Sequence, residues 1–258
     1  MFPIRDDNPH FLTPYGTYAI IALNVVAWVL IQGLGAEPQL SRAVCALGLI
    51  PGEFLGTLTA GTRFQIGPNA DCILSGGFGG HTLFTSMFLH GSWLHLLGNM
   101  WFMWIFGNNV EDSMGHGRFI AFYLLCGLVA ATLQIVSNPD SGIPMVGASG
   151  AIGGVMGAYI LLYPHVRVHM LIFLGFFVTT IAVPAVFMLG YWFLIQIIGG
   201  IGSVGAQGGG VAFWAHVGGF VAGLVLVLLF RDPELVKRHP YYGWKQRRSS
   251  AKNWRRIR

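Results

Sequence analysis

Charge is scarce in this sequence. Only 10% of the 258 residues are Asp, Glu, Lys or Arg and 54% are hydrophobic. Soluble globular proteins carry about a quarter charged residues. The shortage excludes a fold that shows water a polar surface on all sides, and the modest positive balance gives no reason to expect nucleic acid as a partner. Acid is scarcest of all. The ten Asp and Glu, from Asp6 to Glu234, fall outside the apolar runs, so no carboxylate is at hand where such runs would meet. The zinc-hydrolase pattern H-E-x-x-H is missing, His90 and His95 being five apart, and no metal or cofactor is expected. The G-x-S-x-G elbow is missing too, because Ala151 stands two after Ser149, and no alternating strands are there to carry it. No internal repeat is found.

What is present is a set of uncharged runs. A helix crossing ~30 Å of hydrocarbon needs about 20 apolar residues, and backbone inside lipid has to satisfy its own hydrogen bonds. The run Met170–Ile198 is too long for one straight span, and Pro184 divides it. The reading is an all-α polytopic membrane protein with six spans: Thr17–Leu34, Thr82–Phe106, Phe119–Val136, Met145–Tyr163, Pro184–Ile198 and Val211–Phe230. Met170–Val183 is expected at the inner interface or tucked against the bundle. A cleaved signal peptide is the rival reading of the first run. Its flank holds one Arg and two Asp and lacks a clear small-x-small site, which counts against it.

Ten of the fifteen Lys and Arg lie in Arg231–Arg258, and Arg5, Arg118 and Arg167 fall on the same side of six spans. By the positive-inside rule both termini are cytoplasmic, in what is read as a bacterial inner membrane. The expected organisation is a short N-terminus (1–16), a six-helix unit (17–230) with a long outer loop (35–81), and a basic tail (231–258) of low order. Cys45 and Cys72 share the outer loop and could pair in an oxidising compartment. Cys126 reads as a small buried residue.

Polar groups inside such runs are informative, because each costs free energy unless paired or used. "FLHGSWLHLLGNMWFMW" carries His90, His95 and Asn99, and the last two share a helix face. "PMVGASGAIGGVMGAY" carries Ser149, and "FWAHVGGFVAGLVLV" carries His216. Ser149 lies 15 residues before Pro164, His216 15 before Arg231, Asn99 12 before Glu111, and His95 16 before it. At ~1.5 Å per residue these side chains sit about 18–24 Å above the inner boundary, roughly one level. Rows of small residues spaced by four, Ser149/Gly153/Gly157 and Ala215/Gly219/Gly223, let the fourth and sixth spans approach closely. The rival view is that Ser149 is packing material and His216 a hydrogen-bonded core residue. The shared depth favours chemistry.

Ser plus His suffices for nucleophilic catalysis, the imidazole taking the hydroxyl proton. With no acid nearby, the pair is a dyad, and His216 is expected to be held by packing. Asn99 and His95 are the candidate oxyanion donors, with the backbone N–H of Ser149 adding another.

These segments resemble the rhomboid family of intramembrane serine proteases. The match is carried by "SMFLHGSWLHLLGN", "GNNVED", "GASGAIGGVMGAY" and "AHVGGFVAG", in that order. The resemblance implies a rhomboid-like six-helix bundle, Ser149 as nucleophile, His216 as its base, Asn99 and His95 as oxyanion donors and His90 as a structural hydrogen-bonding residue. It implies single-span transmembrane proteins as substrates, cut near the outer face, with lipid as the surroundings. Many relatives carry Trp-Arg in the first long loop, where this chain has Arg63-Phe64. Two other classes stay open: a non-catalytic rhomboid-like adaptor, and a transporter using the three histidines, for which the lower halves of the spans supply almost no polar path. The glycine-rich stretch Gly199–Gly210 is expected to act as a lid over His216, and the fifth span to yield sideways.

Overall fold

The computed structural model describes residues 2–67, 70–76, 79–175, 177–203 and 210–243. Helix α1 (Tyr15–Val26) runs on into a π-helical turn, Ala27–Ile31. The outer loop then forms α2 (Gln39–Leu47) and α3 (Pro51–Phe54), and short α4 (Thr82–Thr85) follows it. Five longer helices follow: α5 (Trp93–Met114), α6 (His116–Ser137), α7 (Ser149–Leu162), α8 (Ala185–Gly202) and α9 (Phe213–Phe230). Short α10 (Pro233–Arg238) is the last helix of the described residues. Three of these, α6, α8 and α9, are long and apolar enough to cross a bilayer. Tyr15–Ile31 and α7 are apolar but shorter, and α5 carries Glu111 and Asp112 near its end.

The all-α expectation needs correction. Strand β1 (Phe2–Asp6), β4 (Arg167–Leu174) and β5 (Phe177–Pro184) form an antiparallel sheet in the order β1-β4-β5. In the outer loop, β2 (Arg63–Gly67) pairs with β3 (Ala70–Ile73). The segment Met170–Val183, expected only as an apolar stretch beside the bundle, is mostly a β-hairpin. Its β-branched and aromatic residues favour extended backbone, and Gly175, at φ 62°, takes the positive φ of the turn. Pro184 ends β5 and α8 begins at Ala185, so the proline divides the run where expected.

The second expected span is also redrawn. Its first residues form α4 and a 3-10 turn, Ser86–Phe88, and α5 starts only at Trp93. Ser92 is the reason: its side chain accepts from the His95 N–H at 3.2 Å and caps the helix. His90 therefore lies ahead of the helix rather than within it. In the outer loop, Cys45 and Cys72 form a disulfide, and Phe64 packs against Gly142. Residues 204–209 of the expected lid and 244–258 of the basic tail lie outside the described residues.

The core is built around α7, which packs most closely on α9. A Cβ placed on Gly219 would lie 1.8 Å from the Gly150 carbonyl oxygen, and one on Gly223 would lie 1.9 Å from that of Gly154. Only glycine permits this backbone contact. At the other end, "GNNVED" ties the first helix down. The buried Glu111 carboxylate accepts from Gly16 N–H (2.7 Å), Thr17 N–H (2.8 Å) and the Thr17 hydroxyl (2.7 Å), satisfying donors at the start of α1. Asp112 accepts from Phe11 and Leu12 N–H at 2.7 and 2.9 Å.

After α10 the chain folds back through His239. Its Nε2–H donates to the Pro9 carbonyl (3.0 Å) while Nδ1 accepts from Tyr241 N–H (3.2 Å). Both nitrogens are satisfied in the neutral ring, and burial holds it neutral, lowering its pKa from 6.5 to about 4. The folded state thus binds fewer protons than the unfolded between those values, and its stability falls as pH drops from 6.5 toward 4. Asp6, which accepts from the Tyr159 hydroxyl at 2.5 Å, is pushed up to about 6 by burial and opposes this trend. The effect must be read locally. Gly243 N–H bonds to the Leu162 carbonyl at 2.8 Å. Its hydrogen exchange, corrected for the intrinsic rate, should accelerate as pH falls from 6.5 to 4. A flat corrected profile would contradict this role of His239.

Candidate active site

Ser149 is the first residue of α7, so its side chain sits at the rim of the helix and its N–H is one of the donors a helix leaves unpaired. His216 lies in the first turn of α9. The glycine contact between α7 and α9 brings the two together: His216 Nε2 and Ser149 Oγ are 2.7 Å apart. The imidazole packs beside Trp192 of α8, with ring centres 5.6 Å apart and planes inclined by 34°.

Its second nitrogen also has a partner, which the sequence reading missed. His216 Nδ1 lies 2.7 Å from Oε1 of Gln196, a buried residue of α8. The expectation that packing alone holds His216 is corrected accordingly. A signal was there to be found, because Gln196 is the sole amide side chain in Pro184–Ile198.

His95 and Asn99 approach from α5. A Cβ built on Gly147 would lie 2.8 Å from His95 Nε2 and 3.5 Å from Ser149 Oγ, so both groups flank one point. Gly147 leaves that space open at φ 132°. Asn99 is buried, and its Nδ2 has no hydrogen-bond partner among the described residues. It lines, with His95, Ser149, His216 and Trp192, a cavity of about 650 Å³. A buried amide without a partner is costly, and here it borders the cavity beside Ser149.

His90 lies beside the site, next to His95. Its ring nitrogens have no partner among the described residues, and the ring meets His95 edge-on at 5.0 Å. Its backbone does the bonding. Gln32 accepts from the His90 N–H (2.8 Å) and donates to its carbonyl (2.6 Å), pinning the extended entry to α5. Gln32 had not stood out in the sequence.

The family model "Rhomboid domain" matches residues 79–233, more than half of the chain. The chain belongs to the rhomboid family. It is an integral membrane protein, and the match takes in every residue of the candidate site, Gln196 included. Among rhomboid relatives, the chain is 35% identical over 136 residues to the Rhomboid protease GluP of Bacillus subtilis, covering 53% of this chain and 26% of that one. It is 27% identical over 146 residues to Rhomboid protein 1, mitochondrial, of Saccharomyces cerevisiae, covering 54% and 39%. It is 29% identical over 177 residues to the human Presenilin-associated rhomboid-like protein, mitochondrial, covering 67% and 41%. The chain thus spans less than half the length of each of these rhomboid relatives. Their names place some in mitochondria.

Proposed function

We propose that this rhomboid is an intramembrane serine endopeptidase that cleaves single-span transmembrane proteins near the outer membrane face. The observation that carries the reading is the 2.7 Å approach of Ser149 Oγ to His216 Nε2 in the lining of a cavity inside an apolar bundle. We assign the six expected spans to α1 with its π turn and helices α5 to α9. Both termini are assigned to the cytoplasm of a bacterial cell, on the strength of the Lys and Arg distribution. The disulfide in the outer loop fits an oxidising compartment on the opposite side.

In the proposed reaction His216 Nε2 takes the Ser149 proton as Oγ attacks the scissile carbonyl. Negative charge develops on the carbonyl oxygen, facing Asn99 Nδ2, His95 and the Ser149 N–H. The C–N bond breaks as His216 returns the proton to the leaving amine, and the acyl group remains on Ser149. Water then attacks this ester, giving one proton to His216 and releasing the acid, while Ser149 recovers its proton.

A fluorophosphonate probe tests the site directly. Labelling should map to Ser149 alone and disappear in His216→Ala. Labelling elsewhere, or a histidine variant that labels at the native rate, would refute the assignment. Asn99→Ala should cut turnover by about 10²–10³, the usual cost of one oxyanion donor, while slow labelling of Ser149 persists. Full turnover in that variant would mean that another group holds the oxyanion.

A further inference from the structure

Gln196 has a directional task that follows from its neighbours. An imidazole can act as a base toward Ser149 only if Nε2 carries the lone pair and Nδ1 the proton. A glutamine does not ensure this by itself, because its amide can present either oxygen or nitrogen to the ring. The choice is made one turn back on α8. Gln196 Nε2 lies 3.3 Å from the Trp192 carbonyl oxygen, which can only accept. The NH₂ group must face that carbonyl, and Oε1 is left for His216 Nδ1 at 2.7 Å. Oε1 can only accept, so the ring proton is drawn to Nδ1. Nε2 then accepts from the Ser149 hydroxyl. One chain of hydrogen bonds runs from a helix carbonyl through Gln196 and His216 to the serine, with a single allowed direction. Depth agrees: Gln196 lies 12 residues after Pro184, about 18 Å above the start of α8, level with the other site residues.

We infer that Gln196 is a positioning residue, which fixes the Nδ1–H tautomer of His216 and makes the seating of α8 against α9 a condition for an active pair. The inference rests on the Ser149–His216 reading of the site. The acceptor is carried by α8, while the nucleophile and base are on α7 and α9. A sideways displacement of α8 therefore removes both Gln196 and Trp192 from the imidazole together, and its return restores them. Gln196 thus does as a neutral acceptor what a carboxylate does in triads, in a bundle where a buried negative charge would be costly.

The test uses the full chain in detergent with Gln196→Met, which keeps the volume and removes the acceptor. The kcat for cleavage is expected to fall on the order of 10²-fold with KM nearly unchanged. Ring-nitrogen NMR shifts of histidine-labelled protein, assigned with His216→Ala, should show native His216 protonated at Nδ1 and the variant partly at Nε2. Native kcat in the variant overturns the inference. So does a fall in kcat with the tautomer unchanged, which is what a merely structural role would give. If the methionine variant does not fold, Gln196→Glu takes its place. Ionised, or protonated with its O–H toward the Trp192 carbonyl, the glutamate still presents an accepting oxygen to His216, so the Nδ1–H tautomer must persist, and its loss overturns the inference. The tautomer readout needs no cleavage, so it can fail while the dyad stands. The dyad fails separately, through cleavage by Ser149→Ala.

Discussion

Ser149→Ala and His216→Ala are each expected to abolish cleavage, with turnover falling by on the order of 10⁴–10⁶. The double variant should be no worse than either single one. The two groups lie 2.7 Å apart, and in the proposed reaction removing either ends the same proton transfer. Folding should survive. Ser149→Ala deletes one oxygen at a helix rim, and its cost in stability should stay below about 1 kcal/mol. Steady-state kinetics on the three variants, with thermal unfolding alongside, checks both statements. Costs that add in the double variant would mean that the residues act independently.

Gly219→Ala should be nearly as damaging to activity and far more damaging to the fold. The added Cβ would meet the Gly150 carbonyl oxygen at 1.8 Å, and that oxygen belongs to a buried helix backbone with no rotamer to change. To restore ordinary contact, α7 and α9 must part by more than about 1 Å. Overpacking of this kind costs 1–3 kcal/mol or more. The same movement separates Ser149 from His216, because these two helices carry them. Gly190→Ala on α8 is the control. A Cβ there meets nothing within 4 Å, and alanine suits a helix better than glycine. Thermal unfolding and fluorophosphonate labelling should place Gly190→Ala at or above the native protein and Gly219→Ala far below it. A Gly219→Ala protein with native unfolding and labelling would show that the helices do not depend on this contact.

The residues of the candidate site were legible because of where they stand. Ser149, His216, His95 and Asn99 are polar groups in apolar runs, and counting residues to the inner end of each run puts them at one depth. The glycine rows beside them announced the close contact of α7 and α9. Gln196 obeys the same rule, but it stands alone in a span expected only to yield sideways, so no second polar group marks it. The strands were hidden for a different reason. Met170–Val183 is apolar on both faces, so no alternation marks it, and hydropathy alone does not tell a strand from a helix. Its partner β1 lies at the far end of the chain, with Phe2 opposite Leu171, and no local pattern reveals such pairing. The late start of α5 was written in Ser92, a cap inside a stretch that hydropathy read as continuous.

The most direct measurement is the mass of the products. Purified protein is incubated in detergent with a panel of single-span membrane proteins, beside the Ser149→Ala variant. The account predicts two new fragments from at least one substrate, with masses that place the cut in the outer part of its membrane segment, and no such fragments with Ser149→Ala. Fragments that persist with the alanine variant, or that map to a cut far from any membrane segment, would contradict it.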